Sequence, residues 1–81
     1  MQGIAKGELQ WRCRRGMKEL DLLLARWLER GWPLADNDHR AAFLRLLDEP
    51  DPQLAEWLLQ GQRPEDPLML ALVDDIVSRR V

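Results

Sequence analysis

Residues 16–33 read GMKELDLLLARWLERGWP, and this stretch decides the fold. Its apolar residues recur at three- and four-residue steps, which is typical of an amphipathic helix; they are Met17, Leu20, Leu24, Trp27 and Leu28. The helix is expected to end near Arg30, with Gly31 as its C-cap and Pro33 just beyond. Because its apolar stripe must be buried against other elements, the rest of the chain has to supply them.

The flanking sequence predicts four more helices. Residues 1–7 contain two glycines and no periodicity, so a disordered start is expected. A short helix follows from Glu8 to Arg14, anchored by Leu9 and Trp11. The third helix begins at one of three capable N-caps, Asp36, Asn37 or Asp38, and ends at Pro50. The fourth begins with Asp51 as N-cap and Pro52 at its first position, and ends at Gly61. The fifth begins in the same way at Asp66-Pro67 and runs to Ser78. Their apolar faces are Ala42, Phe43, Leu46 and Leu47; Leu54, Trp57 and Leu58; and Leu68, Met69, Leu72, Val73 and Ile76.

Five helices joined by short turns, with no strand signal, predict an all-α five-helix bundle. The 81 residues suffice for one domain, residues 1–81, and for only a small core. Four tryptophans would supply much of that core. Cys13 is the only cysteine, and the sequence has neither an apolar leader nor the apolar run of about 20 residues that a membrane span needs. We therefore expect a cytoplasmic protein with no membrane span.

The charges are unevenly distributed along the chain. Residues 1–20 hold five basic and two acidic side chains, whereas residues 21–81 hold seven arginines and twelve carboxylates. This polarity would orient a binding partner during encounter. The acidic body would repel phosphate, so the charge balance argues against a nucleic-acid partner.

Few residues could carry catalysis or bind a metal. His39 is the only histidine, Ser78 the only serine, and threonine is absent. One cysteine and one histidine cannot form a zinc site, and no glycine-rich phosphate loop occurs. We expect His39 to be a solvated surface residue and the chain not to be an enzyme. The paired acids are most simply a solvated helix face, Asp74-Asp75, and a helix start, Glu65-Asp66.

One short segment, Arg12-Cys13-Arg14-Arg15-Gly16-Met17-Lys18-Glu19-Leu20-Asp21, combines dense charge with a glycine. On a helix beginning near Arg15, Arg15 and Glu19 would project together beside the bare backbone of Gly16, with Leu22 and Leu23 on the same side. Met17, Leu20 and Leu24 would then face the core. The pair could be a docking surface for a partner's backbone or an ordinary solvated ion pair. Cys13 could be activated by its basic neighbours or pack as a small apolar residue.

Two blocks of the sequence resemble the signatures of one family, the SdhE (YgfY or CptB) family of succinate dehydrogenase flavin-assembly factors. The first block is Trp11-Arg12-Cys13-Arg14-Arg15-Gly16-Met17-Lys18-Glu19-Leu20-Asp21. The second is Phe43-Leu44-Arg45-Leu46-Leu47-Asp48, followed by Asp51-Pro52 and Trp57-Leu58. The likeness extends over residues 8–78, and the two blocks at this separation make it specific.

The resemblance implies a small five-helix chaperone that binds the flavoprotein subunit of succinate dehydrogenase and promotes covalent FAD attachment to one of its histidines. The fumarate reductase flavoprotein is an implied second client. The family's Arg-Gly-x-x-Glu motif is matched by Arg15, Gly16 and Glu19, which are the implied partner-binding residues. Arg14, Met17 and Asp21 are implied neighbours in the contact.

FAD would belong to the partner flavoprotein, since the sequence has no dinucleotide fingerprint for a cofactor of its own. The family's CptB name also carries an alternative, an antitoxin-type module opposing a small membrane-associated toxin. We expect a monomer in which exposed tryptophans could support a weak dimer.

Overall fold

Helices make up most of residues 6–79, the part of the chain described by this computed structural model. The elements are α1 (Lys6–Arg12), α2 (Lys18–Arg30), a 3₁₀ helix (Trp32–Leu34), α3 (Asn37–Leu47), α4 (Asp51–Leu58) and α5 (Pro67–Ser78). No strand occurs within these residues. The all-α five-helix prediction is confirmed, and only the 3₁₀ helix was not expected.

The core forms around α2, which contacts α1, the 3₁₀ helix, α4 and α5. In turn α5 packs against α2, α3 and α4. The apolar stripes predicted for α3, α4 and α5 all reach this core, with Trp57 and Leu68 half-buried against it. The fully buried members are Ala42, Phe43, Leu46, Leu47, Leu54, Leu58, Met69, Leu72, Val73 and Ile76.

Aromatic rings link α2 to α3 inside the core. The ring centroids of Trp27 and Phe43 lie 4.5 Å apart. Trp32, from the 3₁₀ helix, meets both rings edge-on at 6.3 and 6.0 Å. The Arg40 guanidinium lies 5.0 Å from the Trp32 ring centroid and covers its outer side. Two of the four tryptophans therefore contribute to one aromatic cluster.

Two of the predicted helix starts are confirmed by their caps. The Asp36 carboxylate accepts the backbone N–H of His39 at 2.8 Å, and this contact lowers the pKa of Asp36. The Asp66 carboxylate accepts the N–H of Met69 at 2.8 Å, with Pro67 as the first residue of α5. Each bond satisfies a backbone donor that the helix leaves unpaired at its first turn.

The predicted start of α4 needs a correction. Asp51 was expected to be its N-cap, but Pro50 occupies that position and Asp51 is the first helical residue. No side chain caps α4, because the proline at the N-cap has no side-chain acceptor; the Asp51 carboxylate pairs with Arg15 instead. The helix ends at Leu58, and Gly61 lies beyond it at a backbone φ of +81°.

The first helix also differs from its prediction. It runs from Lys6 to Arg12, two residues earlier at each end than expected, while residues 1–5 of the predicted disordered start lie outside the described residues. Leu9 is 2% exposed, but Trp11 is 72% exposed and anchors nothing. Leu9 and Cys13 lie four residues apart and share the buried side, so Trp11, two residues from each, points away.

Asp75 was expected on a solvated face, but the structure places it half-buried beside Trp27. The Trp27 indole Nε1–H donates to the Asp75 carboxylate at 2.7 Å, and Arg79 Nε donates to the same oxygen at 3.1 Å. A buried indole N–H requires an acceptor, and Asp75 on α5 provides it. Asp74 pairs with Arg63 at the surface.

Candidate partner-binding surface

A tight linker, residues 13–17, joins α1 to α2 and carries most of the sequence-predicted site. Gly16 is exposed at a backbone φ of +89°, a conformation that side-chain-bearing residues rarely adopt. A Cβ added to Gly16 would meet nothing within 4 Å. The backbone turn therefore requires a glycine here, and the turn presents bare backbone to solvent.

Asp21, in the first turn of α2, holds this linker in place. Its carboxylate accepts the backbone N–H of Arg15 at 2.6 Å and that of Gly16 at 3.4 Å. Met17, the N-cap residue of α2, contributes no side-chain cap bond. A carboxylate in the first helical turn is also stabilised by the helix dipole. Asp21 thus acts on the shape of the Gly16 turn from within the protein.

The Arg15 side chain is directed into the protein and is only 16% exposed. Its guanidinium donates to the Asp51 carboxylate at 2.8 Å and to the backbone carbonyls of Leu47 at 2.8 Å and Glu49 at 2.7 Å. The Leu47 carbonyl lies at the C-terminal end of α3, where the helix leaves acceptors unpaired, and the Glu49 carbonyl lies in the turn beyond it. Arg15 therefore connects the linker to the α3–α4 turn.

The predicted joint projection of Arg15 and Glu19 is therefore wrong. The helix begins at Lys18 and not near Arg15, so the four-residue helical spacing does not apply to the pair. The positive φ of Gly16 interrupts the helix, and the unpaired carbonyls of α3 attract the guanidinium inward. Glu19 alone remains on the exposed surface.

Two faces of α2 differ from their predicted roles. Met17 was expected to face the core but is 39% exposed, whereas Leu23, predicted beside Arg15 and Glu19, is 7% exposed. Glu19 lines a shallow pocket together with Leu22, Leu23 and Leu59. The Glu19 carboxylate has no hydrogen-bond or ion-pair partner within residues 6–79.

The basic cluster of Arg12, Arg14 and Arg15 presents less positive charge at the surface than the sequence suggests. Arg12 pairs with Asp48 of the α3–α4 turn at 2.5 Å, and Arg15 pairs with Asp51 at the start of α4, so two of the cluster's three arginines are engaged. Arg14 is exposed. Cys13 is 1% exposed. Burial raises the pKa of its thiol to about 11, although Arg15 and Arg12 partly oppose this. It packs as a small apolar residue, and the activated-thiol alternative is wrong.

His39 lies at the start of α3, part-exposed, where its Nδ1 is 2.8 Å from the Asp36 carboxylate. Ser78 donates its hydroxyl to the Asp75 backbone carbonyl at 3.0 Å. The structure therefore gives both side chains local roles at helix ends.

Sequence reasoning placed two leucines of the Glu19 pocket but missed the third, Leu59. Leu22 is 54% exposed and Leu59 half-buried, and they are far apart in the sequence. Helical spacing predicts Leu22 on the same side of α2 as Glu19, three residues away. No sequence signal places Leu59 beside it.

Comparison with known proteins assigns the chain to a family. The family model Sdh5, described as flavinator of succinate dehydrogenase, matches residues 7–80. The chain belongs to this family. The matched span includes the Gly16 turn and all the residues that hold it.

Individual members of the Sdh5 family support the assignment. The chain is 48% identical over 67 residues to a Methylococcus capsulatus protein named FAD assembly factor SdhE, covering 83% of this chain and 81% of that protein. A Coxiella burnetii protein of the same name is 44% identical over 62 residues, covering 76% of each chain. A Yersinia pseudotuberculosis protein, again so named, is 36% identical over 74 residues, or 91% of this chain and 84% of the relative.

These Sdh5-family names do not favour the antitoxin alternative, since each describes flavin assembly. Within residues 6–79, no helix is both long and apolar enough to cross a bilayer.

Proposed function

We propose that this chain is an assembly factor that binds the flavoprotein subunit of succinate dehydrogenase and promotes covalent attachment of FAD to it. The observation that carries the proposal is the match of residues 7–80 to the family described as flavinator of succinate dehydrogenase. The exposed Gly16 turn supports it, because a fixed turn without a side chain allows another protein's surface to come close. The chain contributes no catalytic group in this proposal.

The residues of the site divide into two groups. Gly16 and Glu19 contact the partner, with Arg14 and Met17 beside them, since all four are exposed. Arg15 and Asp21 are positioning residues that hold the turn from inside, as their bonds to Asp51, to α3 and to the linker backbone suggest. For Arg15 and Asp21 we therefore propose an indirect role in place of the implied direct contact.

In this proposal, the chain acts by helping to align the reacting groups of the flavoprotein subunit. Covalent flavin attachment within the subunit requires the flavin ring and the accepting histidine to be aligned, and positioning of two reacting groups lowers a barrier substantially. A partner that binds the competent arrangement more tightly than other arrangements raises its population. We place this activity in the cytoplasm, and we include the fumarate reductase flavoprotein as a second client.

Gly16→Arg tests the proposal, and the chain offers a matched control. Gly61 has a similar backbone, at φ +81°, and equally open surroundings, but lies in the α4–α5 connection. Arginine at either position carries the same charge and about 1–2 kcal/mol of backbone strain. We expect Gly16→Arg to lower flavin attachment about tenfold or more, since about 1.4 kcal/mol of lost binding suffices. Gly61→Arg should retain it.

The measurement is in-gel flavin fluorescence of the flavoprotein subunit, in a strain that lacks this gene and carries each variant. Circular dichroism of the purified variants tests whether both are folded. Normal fluorescence with folded Gly16→Arg would contradict the role of the turn. Normal fluorescence in the deletion strain itself would contradict the proposed function. The same gel, run on the fumarate reductase flavoprotein, tests whether that protein is a second client.

A further inference from the structure

The pocket beside the Gly16 turn has the size and lining of a receptor for one side chain. It holds about 140 Å³ and is lined by Glu19, Leu22, Leu23 and Leu59. A dry cavity of about 150 Å³ accommodates benzene, so this volume suits one aliphatic or small aromatic side chain. It is too small to hold a helix or an extended strand.

The lining of the pocket is partly apolar and partly acidic. Three leucines form its apolar part, and Leu22 remains 54% exposed in the free protein. The Glu19 carboxylate, which has no partner among residues 6–79, lies on the same pocket. An occupant that buries apolar surface against the leucines and brings a cation to Glu19 would satisfy both parts.

The position of the pocket identifies the occupant. Glu19 and Leu22 lie in the first two turns of α2, and Glu19 follows Gly16 by three residues, so its Cα lies within about 11 Å of the Gly16 Cα. A standard protein interface covers roughly 800 Å² on each partner, which is a patch about 30 Å across. A partner seated on Gly16 therefore reaches as far as this pocket.

We propose that the pocket of Glu19, Leu22, Leu23 and Leu59 receives one apolar side chain of the flavoprotein subunit, flanked by a basic residue that pairs with Glu19. This inference rests on the function proposed above and adds a specificity determinant to it. The Leu22 contact supplies affinity by burial, and the Glu19 contact fixes the register of docking.

Leu22→Gln is the decisive variant. Glutamine keeps the helix propensity and approximate length of leucine but makes the pocket wall polar. Leu34→Gln is the matched control, because Leu34 is 77% exposed but lies in the 3₁₀ helix, outside this pocket. Isothermal titration calorimetry measures the affinity of each variant for the purified flavoprotein subunit lacking attached FAD, at low and high salt.

We expect Leu22→Gln to weaken binding by roughly tenfold or more at both salt concentrations, because the lost contact is apolar. Glu19→Gln should weaken binding roughly threefold at low salt and reduce its salt dependence, as loss of a charge pair does. Leu34→Gln should bind like the unsubstituted chain.

Wild-type affinity of Leu22→Gln, together with weakened binding of Gly16→Arg, would overturn the pocket proposal and leave the proposed function standing. Failure of the unsubstituted chain to bind the subunit would overturn both. The remaining candidate occupant is a second copy of this chain, and sedimentation of the chain alone tests for it. A dimer that Leu22→Gln dissociates, with unchanged affinity for the subunit, would assign the pocket to a second copy and overturn the proposal.

Discussion

Arg15 and Met17 point in opposite directions because the backbone turns at the glycine between them. Gly16, at φ +89°, turns the chain so that Arg15 points inward and Met17 outward. Next to them, Cys13 shows that local charge does not determine reactivity. It lies among three arginines in the sequence, yet desolvation outweighs the field of Arg15 and Arg12 and keeps the thiol protonated.

The Cys13 thiol should make stability depend on pH in the alkaline range. Burial raises its pKa from the ordinary value of 9.0 to about 11 in the folded chain. The folded chain therefore keeps a proton that the unfolded chain loses above pH 9, so this contribution is complete below pH 9 and is lost as the pH rises to 11. We expect a loss of about 2–3 kcal/mol in the free energy of unfolding.

Urea denaturation between pH 8 and 11 measures this effect, with Cys13→Ala as the control that lacks the thiol. The unsubstituted chain should lose more stability than Cys13→Ala over this range. Parallel pH profiles for the two proteins would show that Cys13 is not desolvated in the folded state.

At the scale of elements, the α1–α2 linker is held by bonds from two sides. Asp21 of α2 binds its backbone, and Arg15 attaches it to the end of α3 and the start of α4. Arg12 adds a more exposed pair with Asp48, whose side chain is 75% exposed. The Gly16 turn is thus positioned by three helices, although it belongs to none of them.

Arg15→Ala should therefore destabilise the fold. It leaves Asp51 and two α3–α4 carbonyls without their donor, at an expected cost of about 2 kcal/mol. Arg12→Ala, the matched control, removes the more exposed pair and should cost less than about 1 kcal/mol. Arg15→Lys should recover only part of the loss, because an ammonium cannot reproduce the planar fork of donors.

Urea denaturation followed by tryptophan fluorescence gives these free energies. Arg15→Ala should lower flavin attachment through the disturbed turn as well. If Arg15→Ala keeps full stability and still abolishes flavin attachment, Arg15 contacts the partner directly and its positioning role is wrong.

For the whole molecule, helix packing leaves shallow pockets at the surface. The best-formed pockets among the described residues hold between about 140 and 380 Å³. Sites that enclose a drug-sized ligand typically hold about 300–1,000 Å³, and FAD is larger than such ligands. A bundle of this size has little interior space for a ligand, since its core is already small. We therefore propose that the flavin is held by the partner flavoprotein.

We accordingly expect the purified chain to retain no flavin. Its visible spectrum should lack the flavin absorption bands, and addition of free FAD should leave the flavin fluorescence unquenched and unpolarised. Co-purified flavin absorption, or saturable polarisation of added FAD, would place a cofactor site on this chain and contradict the assignment of FAD to the partner alone.

Features that depend on neighbours within one element could be predicted from the sequence. Local spacing predicts the five helices, most of their apolar stripes and the Asp66 cap, and it places the cap of α3 at one of three neighbouring residues that include Asp36. The family motif was found by its resemblance to a known signature. Helical periodicity failed at Arg15 because it assumes that the helix continues through Gly16.

The tertiary structure alone decided which way Arg15 points, which side of α1 Trp11 occupies and which residues share a pocket with Glu19. Each of these depends on residues distant in the chain: Asp51 and the end of α3 for Arg15, the α2 surface for α1, and Leu59 for the pocket. Unpaired carbonyls at a helix end and a buried apolar surface act on whatever side chain the fold brings near them. That proximity is a property of packing, and local spacing does not contain it.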